Sequence, residues 1–574
     1  MINDLDINDL LMEASREQVE DEDVVSEPWI SKIDEPAPWY AQLAESLLAL
    51  HPQTEPRLAL DLSNLIIQLG SALEQGHTCV VGGELPQHPL WVEATQASSQ
   101  AAPLVRDAAR WYFWRQWQEE RSLALQLIQL LRPMPAVTVQ IEDADQANPL
   151  QRQAIALAAR YPFSLITGGP GTGKTFTLVR IVRALQAADA QIRIALAAPT
   201  GKAAQRMQSV LAAEFAAAGI AFDQIQTAQT VHRLLGLGGG TAKYHVGNPL
   251  PFDLIIIDEC SMLDLALASQ LFAAIAQGTR LILLGDADQL AAVDAGAVLA
   301  DLSLAEPLQP FHVRLEESRR FAADRGIGLL ATAVRHDDRQ AIRRALQGDP
   351  AGQVYAHQPN SSQQQQTFDA LWQGYQPYVE ALQRGAPPAE LFAAFDRYRI
   401  LCAQKSGLFG VQAINHAMSE RLQRALSLRL GRGQQWFCGR PLMITRNDYG
   451  LRLSNGDIGL CLPDDTGMYW VHFPHLPQPI SVNRFSPEQL DTAFALTIHK
   501  SQGSEFERVA MVLERRQQQT LSRELVYTAI TRARSRIDVW AERQVLLYAV
   551  QHQSQRQTGL SMQIARELSA QGHA

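Results

Sequence analysis

The stretch 164–177, SLITGGPGTGKTFT, constrains the chain most, because an apolar strand, a glycine-rich loop and the start of a helix follow one another in it. Its spacing matches the phosphate-binding P-loop, G-x-x-x-x-G-K-[ST]. Glycines let backbone N–H groups face a concave nest, and the helix N-terminus adds positive potential. A glycine-rich turn without a ligand is the alternative, which the strand–loop–helix context disfavours. The predicted nucleoside-triphosphate site comprises Gly168, Gly169, Pro170, Gly171, Thr172, Gly173, Lys174, Thr175 and Phe176.

Two side chains of this loop and two carboxylates further along the chain are predicted to carry the chemistry. Lys174 is expected to reach the β- and γ-phosphates, and the Thr175 hydroxyl to ligate Mg²⁺. The segment DLIIIDECSM at 253–262 is an apolar strand that ends in two acids, and ligands bind at such strand ends in open α/β sheets. We predict that Asp258 holds the Mg²⁺ and that Glu259 polarises the attacking water. An acidic strand end that arose by chance is the alternative.

Four more residues are candidates for nucleotide contacts. Gln151 lies one helix ahead of the P-loop and has the donors and the acceptor to grip an adenine edge. Gln289 follows the strand in RLILLGDADQL, and its uncharged amide can sense the γ-phosphate. Arg320 in LEESRRF and Arg532 in YTAITRAR are arginine-finger candidates, and Arg320 is expected to act from a neighbouring domain.

Two polar segments suit contacts to the backbone of a nucleic acid. The turn PTG before a basic helix offers Pro199, Thr200 and Lys202 to a phosphate. The segment AFALTIHKSQGSEF places Thr497, His499 and Lys500 just after a strand. A satisfied buried histidine is the alternative for His499. Glu505, in the same segment, is expected to accept from a ribose hydroxyl.

The overall charge does not exclude a nucleic-acid partner. The chain has 574 residues and a net charge of −10, but residues 1–27 alone carry ten acids and one arginine. The rest is close to neutral and can still line one groove with basic residues. The five cysteines include no C-x-x-C pair, which indicates neither a zinc site nor a disulfide framework. No apolar run is long enough for a membrane span and no basic n-region begins the chain, so we expect a cytoplasmic protein.

Taken in order, these motifs closely resemble those of superfamily one DNA helicases, from about residue 148 to 540. The variants APTGKAA, TVHRLL, DECSM and TIHKSQGSEF resemble the RecD branch of that superfamily. The resemblance implies ATP and Mg²⁺ as cofactors, 5′-to-3′ movement on single-stranded DNA and the unwinding of duplex ends in double-strand-break repair by homologous recombination. It adds Thr230 and His232 to the DNA contacts and Gly503 to the nucleotide contacts. Cys260 and the missing proline at 291–293 depart from the family pattern.

The resemblance also implies partners and an architecture. Members of the exodeoxyribonuclease V complex work with RecB and RecC, so we expect RecB-like and RecC-like subunits, with the nuclease activity in a partner. The predicted fold is α/β, with two RecA-like P-loop domains built on parallel sheets, a helical N-terminal domain and a small inserted β-barrel. A stand-alone RecD-like repair or conjugative helicase and a non-motor NTP-binding scaffold are the rival functions.

The predicted domain boundaries follow changes in composition. Residues 1–28 form an acidic, disordered leader, and residues 29–135 a partner-interaction domain without catalytic residues, in which one helix is predicted over 107–131. The segments assigned to the motor are 136–350 with a hairpin at 236–250, a polar linker with helices at 351–396, and 397–574 with the barrel at 438–490.

Overall fold

The structure, a computed structural model, describes residues 38–97, 99–132, 134, 147–218, 225–237, 242–318, 325–359, 363–428, 435–448 and 450–570. The predicted acidic leader and Arg320 lie outside the described residues. The described chain forms an N-terminal domain, two α/β lobes and a sheet inserted into the second lobe. We call residues 147–318 lobe 1 and residues 325–551 lobe 2.

The N-terminal domain packs helices on a four-stranded sheet. Its elements are α1 (Trp39–Ala49), α2 (Pro56–Glu74), β1 (Val80–Val81), β2 (Trp91–Glu93), β3 (Leu104–Asp107), β4 (Arg110–Phe113) and α3 (Trp114–Leu130). The strand order is β1-β4-β3-β2. The helix predicted over 107–131 begins only at Trp114, because residues 110–113 pair with β3 as a strand. The domain is therefore mixed α/β, where the sequence predicted a helical one.

Lobe 1 is built on a six-stranded parallel sheet. Its elements are α4 (Pro149–Arg160), β5 (Phe163–Gly168), α5 (Lys174–Ala188), β6 (Ile194–Ala198), α6 (Gly201–Ala218), β7 (Gln229–Thr230), α7 (Val231–Leu234), β8 (Leu254–Ile257), α8 (Leu265–Ala273), β9 (Arg280–Gly285), α9 (Val298–Leu304) and β10 (His312–Leu315). The strand order is β10-β5-β9-β8-β6-β7, and all pairs are parallel. Every residue of β5, β6, β8 and β9 is buried, as expected for strands covered on both faces.

Lobe 2 repeats this plan with a five-stranded parallel sheet. Its elements are α10 (Gly326–Arg335), α11 (Arg339–Gln347), β11 (Val354–His357), α12 (Gln364–Trp372), α13 (Gln376–Gln383), α14 (Pro388–Phe395), β12 (Tyr398–Cys402), α15 (Val411–Ala425), β18 (Ala495–Thr497), β19 (Phe506–Val512), α16 (Arg523–Thr531), β20 (Ala533–Trp540) and α17 (Arg543–Gln551). The strand order is β11-β20-β19-β12-β18. The cleft between the lobes is lined by loops at the carboxyl ends of lobe 1 strands and by residues at the amino ends of β19 and β20 in lobe 2.

Lobe 2 begins earlier in the chain than the sequence suggested. Residues 326–347 were assigned to the first motor domain, but Ile327, Leu330 and Val334 are buried in the core of lobe 2 against α16. The segment predicted as a polar linker contains β11, which is the edge strand of the lobe 2 sheet. Polar composition concealed this strand, because two of its four residues are exposed.

The insertion in lobe 2 is a sheet of five antiparallel strands, β13 (Arg440–Ile444), β14 (Ile458–Pro463), β15 (Tyr469–His472), β16 (Ile480–Ser481) and β17 (Leu490–Thr492). Their order is β16-β15-β14-β13-β17, so β16 and β17 form opposite edges. Among the described residues these edges do not pair with each other, and the predicted barrel is an open sheet. Its apolar face has a small core of its own.

After α17 the chain returns to lobe 1 and the N-terminal domain. We call residues 552–570 the C-terminal strap; it includes α18 (Leu560–Ala570), which packs on α3 and α9. Leu560 and Ile564 share one buried core with α3 and with lobe 1. The strap thus ties three parts of the molecule together.

The predicted hairpin at 236–250 and the expected lack of a membrane-spanning segment can also be compared with the structure. The glycine tip of the predicted hairpin, residues 238–240, lies outside the described residues. Residues 245–248 form a tight turn that is bridged between His245 and Asn248. In the described part of the chain, no helix has the length and apolar character that a bilayer crossing requires.

Candidate nucleotide site between the two lobes

The P-loop joins the end of β5 to the start of α5. Gly171 and Gly173 have φ values of 78° and 85°, which favour glycine and turn the backbone into the helix. The Lys174 ammonium lies across the loop and donates to the carbonyl oxygens of Gly168 and Gly169, at 2.6 and 3.2 Å. Thr172 caps the turn by donating to the Gly169 carbonyl at 2.8 Å. This loop therefore presents its amides and one ammonium to the cleft.

The predicted acids follow β8, two strands from the P-loop in the same sheet. The Asp258 carboxylate accepts from the Glu259 backbone N–H at 2.8 Å. Glu259 has a left-handed backbone, with φ of 54°, which is rare for a residue other than glycine and turns the chain sharply at the strand end. Burial and the neighbouring Glu259 raise the pKa of Asp258 to about 6, while Lys174 lowers it. Two carboxylates in a cleft opposite a P-loop lysine are oxygen donors that suit Mg²⁺.

The two glutamines behave differently. Gln289 lines the cleft, and its Nε2 donates to Asp286 at 3.0 Å. Gln151 is buried, and its amide bonds structurally: Oε1 accepts from the Asn148 N–H at 3.1 Å, and Nε2 lies 3.4 Å from the Thr172 carbonyl. The Gln151 side chain therefore ties helix α4 to the P-loop. An adenine contact by Gln151 stays a prediction.

Lobe 2 supplies the opposite wall. Arg532 is 2% exposed and lies in the cleft, where its guanidinium donates to the carbonyls of Ser504 and Thr528 at 3.2 and 3.3 Å. Gly503 has φ of 72°, and a Cβ there would lie 3.3 Å from the Ala203 side chain of lobe 1. The two lobes therefore meet at this glycine. Arg320, the other predicted finger, lies outside the described residues.

Glu505 forms an ion pair across the cleft. Its carboxylate accepts from Arg206 of lobe 1 at 2.5 Å and from Arg534 of lobe 2 at 3.0 Å. The sequence predicted a ribose contact for Glu505, and in the structure both of its oxygens are bonded to arginines. Arg534, which sequence reasoning left as a surface charge, lies at the cleft beside it.

These residues enclose one cavity of about 630 Å³ between the lobes. Lobe 1 contributes the P-loop, Asp258, Glu259 and Gln289, and lobe 2 contributes residues 503–506 and Arg532. The chemistry of the lining is complementary to a metal-bound triphosphate, with cations and amides for phosphate and carboxylates for a divalent ion. Phe176, also predicted in the nucleotide site, has Arg180 stacked on its ring, and a nucleotide contact by Phe176 stays a prediction.

Lys202 lies in this cavity and not with the other predicted DNA contacts. Its ammonium lies 5.8 Å from the centre of the Phe506 ring in lobe 2. Burial lowers the pKa of Lys202 to about 8, with further lowering by Arg399 and Arg206 and opposition from Asp396 and Asp457. A lysine at the start of α6 was expected to face a phosphate backbone, but in the structure it is half-buried in the wall of the cleft between the lobes.

The remaining predicted DNA contacts lie at strand ends of the two sheets. Thr200 lies just after β6, and Thr230 is the last residue of β7, the parallel neighbour of β6. His232 lies two residues after Thr230, at the start of α7, and is exposed. Pro199 precedes Thr200 in the same turn. In lobe 2, Thr497 ends β18, and its hydroxyl accepts from the Lys500 N–H at 3.3 Å. Burial lowers the pKa of His499, which favours a neutral imidazole.

A second cavity, of about 600 Å³, lies in lobe 2 between α15, β18 and the inserted sheet. Its lining combines basic groups with hydroxyls and amides: Lys405, His416, Arg440, Lys500, Asn415, Ser419, Thr492 and Thr497. Asp491 also lines it and accepts from Lys500 at 3.0 Å. Sequence reasoning found Thr497 and Lys500 and missed the others. Lys405 and Arg440, for example, belong to no motif, and only the folding of the chain brings them to this cavity.

Comparison with known proteins places the motifs in families. The model described as an AAA domain matches residues 151–295, and the model of a UvrD-like helicase C-terminal domain matches residues 492–537. The first range contains the P-loop and Gln289, and the second contains Gly503 and Arg532. The two matches therefore fall on the two walls of the cleft.

Two relatives that match this chain over most of their length carry the same description. The RecBCD enzyme subunit RecD of Haemophilus influenzae is 32% identical over 530 residues, which cover 80% of this chain and 81% of that protein. The RecBCD enzyme subunit RecD of Mycobacterium tuberculosis is 35% identical over 561 residues, 91% of this chain and 94% of that protein. The ATP-dependent RecD2 DNA helicase of Deinococcus radiodurans is 31% identical over 388 residues, 67% of this chain but 48% of that protein.

Proposed function

The chain belongs to the RecD family of RecBCD enzyme subunits, and from that membership we propose that it is the 5′-to-3′ DNA helicase subunit of a heterotrimeric helicase–nuclease. It is an ATP-dependent DNA helicase, and the complex that it joins would unwind duplex ends in the cytoplasm during double-strand-break repair by homologous recombination. The nuclease activity would belong to a partner subunit.

The observation that supports this proposal best is the composite cleft. Lys174 and Asp258 come from one lobe and Arg532 from the other, and all line one cavity. A site divided between two lobes changes shape when the lobes move, so nucleotide binding and lobe position are coupled. A non-motor NTP-binding scaffold has no need of such a division.

The residues of the cleft have separable roles in the proposed reaction. Lys174 and the P-loop amides bind the β- and γ-phosphates of ATP, and Thr175 and Asp258 would hold Mg²⁺, which neutralises developing phosphate charge when bound. Glu259 orients and polarises the attacking water. Gln289 and Arg532 contact the γ-phosphate, and Arg320 stays a proposed second finger.

A path for single-stranded DNA would run across the strand ends of both lobes. On lobe 1 it would contact Thr200, Thr230 and His232. On lobe 2 it would enter the second cavity, where Lys500 and Arg440 lie. Hydroxyls, amides and ammonium groups suit sugar–phosphate contacts without base specificity. Alternating grip by the two lobes then converts hydrolysis into movement along the strand.

The N-terminal domain is the proposed contact with RecB-like and RecC-like partners. It exposes several large apolar side chains, Trp39 at 47%, Leu50 at 72%, Leu60 at 62% and Val81 at 63%. Val81 also lies on β1, an edge strand of its sheet, which can pair with another chain. A subunit is favoured over a stand-alone helicase because the relatives matched over 80% and 91% of this chain are described as RecBCD subunits, whereas the RecD2 helicase matches 67% of it.

Strand displacement tests the proposed motor. The complex reconstituted with RecB-like and RecC-like subunits is given a duplex with either a 5′ or a 3′ single-stranded tail, with any helicase activity of the partner subunits inactivated. We expect ATP-dependent displacement of the 5′-tailed substrate and loss of at least a hundredfold in rate with Lys174→Ala. Displacement of the 3′-tailed substrate alone would contradict the polarity, and full activity of Lys174→Ala would contradict the motor.

Co-purification tests the subunit assignment separately. The tagged chain is co-expressed with RecB-like and RecC-like proteins, and the mass of the purified assembly is measured by light scattering. We expect a 1:1:1 complex that Leu60→Glu together with Val81→Glu weakens. A chain that stays monomeric and unwinds DNA processively by itself would favour the stand-alone alternative.

A further inference from the structure

The loop that carries Gln289 begins in lobe 1 and ends inside lobe 2. It follows β9 with the sequence DADQL at 286–290. Leu290 is 8% exposed, and its side chain belongs to the buried core of lobe 2, together with Ile327 and Leu525. A residue five positions after a central strand of lobe 1 thus packs in the core of the other lobe.

Lobe 2 also binds both backbone groups of Leu290. The Leu290 N–H donates to the Thr528 hydroxyl of α16 at 2.9 Å, and the Gln502 amide donates to the Leu290 carbonyl at 2.7 Å. The donors and acceptors of both hydrogen bonds are buried. A buried backbone donor and acceptor that are both satisfied by the opposite lobe fix the loop end to that lobe.

The start of the loop touches lobe 2 as well. Burial, together with the charges of Asp286 and Asp288, raises the pKa of the Tyr527 phenol of α16, and Asp286 itself is 1% exposed. Asp286 in turn accepts from Gln289 Nε2 at 3.0 Å. Asp288 lies between the lobes, since it accepts from Arg314 of β10 at 2.6 Å and lies 3.8 Å from Arg335 of α10. Lobe 2 therefore holds the end of the loop at Leu290, whereas Asp288 in the middle of the loop also pairs with lobe 1.

The side-chain oxygen of Gln289 is available to a ligand. Its Oε1 is buried, and no donor among the described residues lies within hydrogen-bonding distance of it. The side chain is 6% exposed and lines the cleft. An oriented amide with an unpaired oxygen suits a water or a phosphate-bound proton.

We propose that Thr528 and Gln502 are positioning residues for ATP hydrolysis, which clamp the Leu290 backbone so that Gln289 follows lobe 2 and not lobe 1. The proposal rests on the helicase function above and concerns residues that do not touch the nucleotide. When the lobes rotate, the chain bends between Gly285 and Leu290, and Gln289 reaches its working position only when lobe 2 does. DNA that holds the lobes in one arrangement would thereby accelerate hydrolysis.

A purely structural role for these contacts is the alternative. In that case their loss lowers the melting temperature and affects turnover with and without DNA alike. The distinguishing measurement is therefore the DNA-stimulated kcat compared with KM for ATP, and the dependence of any effect on Gln289.

The test uses Thr528→Val, which keeps the shape of the side chain and removes the acceptor, in steady-state ATPase assays with and without oligo(dT). We expect the DNA-stimulated kcat to fall 10- to 100-fold with KM within threefold of wild type, and Thr528→Ser to restore kcat within threefold. Thr531→Val is the matched control, since among the described residues that hydroxyl bonds carbonyls of its own helix, Tyr527 and Thr528, at 2.9 and 3.1 Å. It should stay within threefold.

A double variant tests whether Thr528 acts through Gln289. In a Gln289→Ala background, Thr528→Val should lower kcat by less than threefold further. Wild-type kinetics for Thr528→Val, or a full multiplicative effect in the Gln289→Ala background, would overturn the proposal. If Thr528→Val does not fold, Gln502→Met removes the second clamp and is read by the same criteria. A wild-type chain without DNA-stimulated ATPase would instead refute the proposed function, and this proposal with it.

Discussion

Glu120 makes the docking of the C-terminal strap sensitive to pH. This helix α3 residue is fully buried and accepts from the Thr78 hydroxyl at 2.6 Å, the Gly559 N–H at 3.1 Å and Gln563 Nε2 at 3.2 Å. Burial, reinforced by the charge of Asp301, outweighs these bonds and raises the pKa of Glu120 to about 7 from 4.5. Two of the three donors belong to the strap, so ionisation of Glu120 weighs directly on its docking.

The sign and size of the effect follow from this pKa. Between pH 4.5 and 7 the native state keeps the proton that the unfolded state has lost, so stability falls as pH rises through that window. Each pKa unit corresponds to about 1.4 kcal/mol, so the ionised carboxylate costs on the order of 3 kcal/mol above pH 7. Glu120→Gln, a mimic of the protonated acid, should match wild type at pH 5 and exceed it at pH 8.

The assay is urea unfolding at pH 5, 6, 7 and 8, followed by tryptophan fluorescence, with proteolysis of the strap as a second readout. Glu119→Gln is the matched control, because Glu119 is the neighbouring residue and forms a surface ion pair with Arg115. The control should keep the wild-type pH dependence. Parallel pH curves for Glu120→Gln and wild type would refute the reasoning.

Two further predictions concern the cleft and the core of lobe 2. Burial lowers the pKa of Lys202 to about 8, so this side chain loses its positive charge above that pH. The KM for ATP should therefore rise from pH 7.5 to 9 in wild type. The rise should be smaller in Lys202→Arg, whose guanidinium remains charged over this range. In lobe 2, a Cβ on Gly374 would lie 2.2 Å from the Tyr398 ring, so Gly374→Ala should destabilise by roughly 1–3 kcal/mol in thermal unfolding, whereas Gly348→Ala, with nothing within 4 Å, should not.

The sequence predicted the lobe 1 wall of the cleft well, and for a physical reason. The P-loop, Asp258 and Gln289 each follow an apolar strand, and the carboxyl ends of parallel strands in one sheet share an edge. Strand order did not have to be known for these residues to converge. Arg532 of lobe 2 was also predicted, from its motif and not from any pattern that fixes how the lobes face each other.

What the sequence could not predict depends on how the two lobes meet. Lys202 and Glu505 have side chains that suit DNA and ribose, yet the way the lobes meet places the first in the wall of the nucleotide cleft and pairs the second with Arg206. Leu290 gives no local signal that its side chain packs in lobe 2. Likewise, the strand at 110–113 reads as part of a helix until its partner β3 is known.

The central claim is that hydrolysis needs both walls of the cleft at once, and Arg532→Lys tests it most directly. Lysine keeps the charge but lacks the fork that reaches both Ser504 and Thr528. The affinity for a fluorescent ATP analogue and the DNA-stimulated ATPase rate are measured on the same sample. We predict affinity within about threefold of wild type and a rate at least a hundredfold lower, in line with the contribution of arginine fingers. Wild-type turnover by Arg532→Lys would contradict a composite site.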